Sequence, residues 1–433
     1  MRKMVKMSMA AVMIMGIGSV SAQAEGVDIL SNIKAKGEIR ARYEMVDTDA
    51  VIPTTTTKQS NANAFTNRLT IGVSADLLGT DWLSAYAEMT DVRALNDNYN
   101  STDNGETTHA TVVDPEQTRL TQAYVDIKLG KPTLRIGRQM INLDNQRFVG
   151  AVGWRQMFQT FDAYTLTCNS IENLSVFASY ITQVNGVKAD EVNAATDTRT
   201  ALVNVSYKVM PELKATAYAY MIGEGTAGHK TGSDTYGLAL TGNVAVADGV
   251  KLNYRAEYAT QTDASMENSG FSGASSDVDA DYMNFELGAN VSGILAGLGY
   301  EVLSGDSDGA GKEKAFATPL ATGHAFNGWA DIFLATPTQG IEDMSAYVGY
   351  ASKEFGKLQV VYHDFQSDVG SIDYGTEIDA VYTRAIPGMN GLTGMLKVAD
   401  YSAGDTVAEG NNAAQASDTT KFWVMLDYKF ASK

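Results

Sequence analysis

A chain of 433 residues with 19% charged residues and a formal net charge of −18 lacks the basic patches that nucleic-acid binding needs. Its single cysteine, Cys168, excludes an internal disulfide framework and reads as a structural residue. No segment reaches 18 consecutive apolar residues, which excludes a transmembrane helix.

The chain opens with Arg2, Lys3 and Lys6, an apolar run from about Met7 to Val20, and the small residues of Ala22-Gln23-Ala24. This is the pattern of a secretory signal over 1–24. Cleavage before Glu25 leaves 25–433 as one domain, more acidic still. Few prolines, 40 glycines and 21 tyrosines suit a membrane-facing β structure, because tyrosine favours the interface and glycine favours turns.

Eighteen segments then alternate apolar and polar residues. They lie near 37–45, 65–77, 82–93, 118–129, 133–140, 159–168, 173–183, 199–209 and 213–222. The rest lie near 233–245, 250–261, 280–290, 293–304, 343–352, 357–368, 372–386, 392–402 and 420–430. A period of two places successive side chains on opposite faces of a strand. In the last segment Phe422, Val424, Leu426, Tyr428 and Phe430 share one face, and Trp423, Met425, Asp427 and Lys429 the other. In the first, Ile39, Ala41 and Tyr43 oppose Glu38, Arg40, Arg42 and Glu44. Charge on a lipid face costs about 2–4 kcal/mol near the midplane, so the charged parity must face inward. In 159–168, 173–183 and 213–222 either parity is open.

Connections alternate in length. Gly130-Lys131-Pro132, Met210-Pro211-Glu212, Ala247-Asp248-Gly249 and Pro387-Gly388-Met389-Asn390 are short and rich in turn residues. The connections 46–64, 94–117, 141–158, 184–198, 262–279, 305–342 and 403–419 are long. The expected fold is therefore all-β: a closed antiparallel transmembrane β-barrel of about 18 strands, with short periplasmic turns and long extracellular loops. The gap 305–342 reads as a loop that folds over or into the pore. A strand at 326–334 is the alternative.

Two segments carry a resemblance. One holds "QAYVDIKLG" and "LRIGRQMINLDNQRFVGAVGWRQMFQTFDA" between Gln122 and Ala163. The other, from Phe316 to Tyr374, holds "FATPLATGHAFNGWADIFLATPTQGIED" and "VVYHDFQSDVGSIDYGTE". These resemble the alginate-export family of outer-membrane porins. The resemblance implies an eighteen-strand barrel in the Gram-negative outer membrane, delivered by the barrel-assembly machinery and working as a monomer. Some members of that family export an anionic uronate polymer through an arginine-rich lumen, and others are porins for other solutes.

The expected activity is passive conduction of small hydrophilic, anionic or neutral, solutes such as sugar acids. Selectivity then lies in the charge and width of the lumen. Arg40, Arg42, Arg68, Arg135 and Arg255 have inward parity, and Arg138, Arg147 and Arg155 lie in the first family-like motif. These eight are the candidate pore-lining residues. Two readings stay open for them: contacts to acidic solutes, or simple pairing with Glu38, Glu44, Asp76, Glu88, Asp126, Glu257, Glu286 and Glu301. The loops 141–158 and 305–342 are expected to narrow the lumen.

The oxygen-rich stretches 275–282 and 304–311 read as solvated loop or as sites bridging divalent ions to lipopolysaccharide, and neither is an EF-hand. His109, His229, His324 and His363 show no metal-ligand spacing, and nucleotide and hydrolase motifs are missing. No enzyme activity, cofactor, metal or nucleic-acid partner is expected. Outer-membrane lipids and lipopolysaccharide are. A plugged surface barrel or an exporter of an anionic polysaccharide are the alternative functions.

Overall fold

A computed structural model describes residues 23–24, 27–52, 57–189, 195–223, 232–266, 278–306, 315–404 and 415–432. The signal expected at 1–24 lies almost wholly outside these residues, as do His229 and much of the two oxygen-rich stretches.

Eighteen strands form the wall. They are β1 (Leu30–Thr48), β2 (Ala62–Leu77), β3 (Leu83–Ala94), β4 (Gln117–Lys128), β5 (Thr133–Gln139) and β6 (Thr160–Cys168). Next come β7 (Leu174–Asn185), β8 (Ala195–Met210), β9 (Leu213–Ile222), β10 (Ser233–Ala247), β11 (Val250–Asp263) and β12 (Asp279–Val291). The last are β13 (Ile294–Leu303), β14 (Ile341–Ser352), β15 (Gly356–Gln366), β16 (Asp373–Ala385), β17 (Leu392–Ala403) and β18 (Thr419–Ala431). Each predicted segment overlaps one of them. Every strand pairs antiparallel with its sequence neighbours, and β18 returns to β1 in a register running from Thr419↔Thr48 to Ala431↔Lys36. Closure leaves no unpaired edge, which a hydrocarbon environment requires.

The two faces separate by parity. Leu238 on β10, Leu287 on β12 and Leu298 on β13 are 50%, 58% and 65% exposed and form part of the lipid-facing band. On β1 the alternate residues Arg40, Arg42, Glu44 and Val46 are buried. Short turns close one end of the barrel, and Gly249 adopts φ +72° in the β10–β11 turn, a left-handed conformation that side chains with a Cβ resist.

The lumen is partly filled. The connection 140–159 and the described residues 315–340 fold inward and meet, with Val149 bridging to Leu320, Gly150 N–H donating to Leu320 O at 2.9 Å and Thr322 N–H to Gln146 O at 3.0 Å. Phe148 packs against Tyr218, Tyr220, Tyr282 and Phe316, and Phe333 against Phe365, Tyr374 and Tyr401. The inner face is therefore apolar where these loops rest on it. Residues 326–334 hold turns only, beside a short 3-10 turn at Gly323–Ala325, so the alternative of a further strand is overturned. A third connection, 95–116, also packs inward: Tyr99, Ala110 and Val112 are buried with Val46, Ala62 and Ala64.

Candidate functional site: the loop-filled constriction

Strand register places basic groups on one arc of the wall. Arg40 on β1 faces Arg68 on β2. Arg42, Lys421 and Lys397 continue the arc across β1, β18 and β17, because Arg42 pairs with Met425, Lys421 with Ala399 and Lys397 with Trp423. The adjoining arc, β11 to β16, which meets the basic one where β16 pairs with β17, carries Glu257, Glu286, Glu301, Asp343, Glu377 and Asp379 on its inward parity.

The loops run between the two arcs, and wall cations hold their carbonyls. Arg40 donates to Gly153 O at 2.9 Å, Arg42 to Trp154 O at 2.5 Å, and Arg68 to Arg155 O and Gln156 O at 3.1 and 3.2 Å. The same guanidiniums pair with carboxylates: Arg40 with Asp427 and Glu38, Arg68 with Glu38, and Arg42 with Glu44 and with Asp114 of the third loop. Asp114 also accepts from Gln156 N–H at 2.9 Å, so one carboxylate joins two loops to the wall.

From the loops, Arg147 reaches Glu301 at 2.7 Å and Asn327 at 2.8 Å. Arg155 reaches Asp331 at 3.0 Å and Glu44 at 3.4 Å. Asp331 also takes Lys421 at 2.9 Å and His324 Nδ1 at 2.6 Å. Burial alone would raise the Asp331 carboxyl, but His324, Lys421 and Arg155 hold it well below the usual carboxylate range. Burial pushes His324 down to about 3, and Asp331 offsets that only in part. Geometry agrees with a neutral imidazole, since Lys397 Nζ donates to Nε2 at 2.7 Å and only a neutral ring can accept there. Around Lys397 stand Trp329, Trp154 and Trp423, with ring centroids at 3.8, 4.4 and 5.5 Å. His324 lies flat on Trp154 at 4.1 Å.

On the acidic arc, Ala330 N–H donates to Glu377 at 2.8 Å and Trp329 N–H to Asp379 at 3.1 Å. Gly328 makes this approach possible: its φ is +81°, and a Cβ there would lie 2.4 Å from Glu377 Oε2.

The eight expected arginines divide by place. Arg40, Arg42, Arg68, Arg147 and Arg155 gather at the constriction, buried and paired. Arg255 stands on the inner wall with Glu257 at 2.5 Å. Arg135 is inward too, but stacked on Tyr124 at 3.8 Å and paired with Asp126, away from the loops. Arg138 has the opposite parity: it faces outward with Asp162, its register partner, at 2.7 Å. Its expected pore-lining place is thus corrected by the odd spacing from Arg135. Sequence reasoning passed over Lys397 and Lys421, whose parity was readable. It also passed over Asp114 and Asp331, whose loop positions give no periodic signal. Of the oxygen-rich stretches, Asp281 lies on β12 and accepts from Tyr258 at 2.6 Å. Among the described residues no three of His, Cys, Asp and Glu are gathered as a metal ion would need.

A protein-family model described as alginate export matches residues 32–314. Among solved structures, Pseudomonas aeruginosa OpdL is similar with a TM-score of 0.66 at 15% identity, covering 93% of this chain and 99% of that one. Acinetobacter baumannii OccAB2 gives 0.67 at 15%, covering 94% and 99%. Pseudomonas aeruginosa OccK8 (OprE) gives 0.68 at 14%, covering 93% and 99%. No curated protein sequence matches the chain.

Proposed function

Because the chain belongs to the alginate export family and builds a closed outer-membrane barrel, we propose that it is a passive channel for small hydrophilic solutes, with acidic solutes favoured. The observation that carries the preference is the basic arc: Arg40, Arg42, Arg68, Lys397 and Lys421 lie on four adjacent strands and face the constriction. A cation-lined, low-dielectric passage raises the local concentration of anions, and guanidiniums offer carboxylates bidentate contact. The chain's route through the lumen needs no energy source. The protein works as a monomer within outer-membrane lipid and lipopolysaccharide, placed there by the barrel-assembly machinery.

A second reading, cation preference, is favoured by the acidic arc, where Glu286, Asp343, Glu377 and Asp379 share the inward parity. Reversal potentials in a salt gradient, measured with purified protein in planar bilayers, separate the two. Anion preference that falls when Arg40 and Arg68 are replaced by alanine supports the first, and cation preference overturns it. A correctly folded but silent barrel overturns conduction altogether and favours the plugged surface barrel. Swelling of liposomes with uronates of rising length tests whether an acidic polysaccharide can follow the same route.

A further inference from the structure

Inward parity gathers cations at the short-turn end of the barrel, the end that faces the periplasm in the outer membrane. Lys36 on β1 and Lys429 on β18 share the face of Arg40 and Asp427. Lys208 on β8, Lys251 on β11 and Lys357 on β15 stand at even spacing from the inward Asn204, Arg255 and His363. With Arg135 on β5 they circle the wall, and no two neighbours in the ring are more than four strands apart. All five lysines are exposed, and their parity turns them to the lumen rather than to lipid headgroups.

None of the five has an ion-pair partner among the described residues, and the inward carboxylates at this end are engaged elsewhere. Glu38, the register partner of Lys429, pairs with Arg40 and Arg68. Asp126 is held by Arg135 at 2.7 and 2.8 Å. Lys208 faces a further lysine, Lys214, across the β8–β9 ladder. Like charges set directly opposite disfavour a sheet, and only Asp144, 3.8 Å from Lys214, offsets them. Beside β1 the mouth holds a cavity of about 350 Å³, where Lys34 and Lys36 stand with Ser74, Ser84 and Ser432, and Asp126 also lines it. The other end of the barrel has the reverse sign: the connection 95–116 carries five carboxylates and no lysine or arginine.

We propose that the short-turn mouth is a capture ring for multivalent organic anions, drawing them in from the periplasmic side; this rests on the channel reading above and adds the side from which an acidic solute is taken. Each ammonium offers three donors and no acceptor, and rings of lysine or arginine select anions in pores. One exposed lysine holds a monovalent anion weakly. A multivalent anion meets several at once, and the ring acts through their sum. With acid at the far mouth, the field along the axis is asymmetric. A passive channel still moves nothing without a gradient. Under equal and opposite voltages, however, anions entering at the lysine mouth carry more current than anions entering at the loop end.

The test uses the full-length protein with benzenehexacarboxylate as probe and inositol as its uncharged counterpart. Titration calorimetry in detergent reads binding without requiring conduction. In planar bilayers, streptavidin capture of a biotin at the C-terminus, which follows β18 at the short-turn end, reads the direction of insertion. The hexacarboxylate binds and inositol does not, and it interrupts the current at lower concentration from the short-turn side than from the loop side. Replacing Lys36, Lys251, Lys357 and Lys429 together by glutamine weakens binding about tenfold, the combined effect of four exposed charge contacts, and abolishes the difference between sides. Arg384→Gln removes a cation from the same end on the outward parity and changes neither. Folding of each variant is checked by heat-modifiable migration. Binding unmoved by the fourfold variant, an equal loss in Arg384→Gln, or equal block from both sides overturns the proposal. Silent bilayers with calorimetric binding that the fourfold variant loses support the ring and overturn only the channel reading.

Discussion

Asp331→Asn is the sharpest test of how the constriction is held. Asp331 lies in the second inward loop, is 4% exposed at its side chain, and receives Arg155, Lys421 and His324. Arg155 keeps Glu44 after the change. Lys421 has no other ion-pair partner among the described residues. Breaking a buried pair and leaving one charge uncompensated costs about 3–5 kcal/mol. The barrel ladder does not include Asp331, so the loss falls on docking of the loop. At the lower figure the docked-to-undocked ratio drops by about two orders of magnitude. Single-channel recordings should show a larger and noisier conductance, while heat-modifiable migration stays unchanged. Adding Lys421→Met should restore the quiet state, since a buried pair replaced as a whole is close to neutral. A folded Asp331→Asn barrel with wild-type conductance and noise would refute the reasoning.

Acid should loosen the same loop. His324 is neutral when docked, with its pKa near 3, against 6.5 in an undocked loop. The undocked state therefore takes up the proton first, and docking weakens as pH falls from about 6.5 toward 3, by at most about 1.4 kcal/mol per pH unit. Asp331, held below its ordinary value, adds a loss in the same direction only below about 3.8. Conductance noise should rise between pH 7 and 4.5, and His324→Gln should flatten that rise. Gly328→Ala should release the turn that donates to Glu377 and Asp379, at a cost of about 1–3 kcal/mol for a strained left-handed residue; protease cleavage within 315–340 should speed up in detergent. Arg138→Ala should leave conductance and reversal potential unchanged, because Arg138 faces away from the lumen; a shift in either would contradict that placement.

The wall was readable because lipid enforces a rule that water does not. A charge facing hydrocarbon is costly at nearly every position, so Arg40, Arg42 and Arg68 could take only one parity, and the register places them there. The rule fails where the inner face is apolar as well. On β9, Tyr218 and Tyr220 point in against Phe148, while Ala217 and Ala219 point out, and hydropathy alone cannot rank tyrosine against alanine for lipid. On β7 the parity itself changes: Ile181 and Val184 are both buried because the register shifts at Thr182.

The loop path was unreadable for a different reason. Its determinants are pairs far apart in sequence, such as Arg42 with Asp114 and Arg155 with Asp331, and no local period marks either acid. The same residues decide what the arginines do. A guanidinium fixed by parity on a rigid strand points inward whatever the loops do, but the loop that settles on it determines whether its donors meet a solute or a backbone carbonyl. Here Gly153, Trp154, Arg155 and Gln156 present their carbonyls to the basic arc. The basic arc therefore acts on a solute mainly through its field.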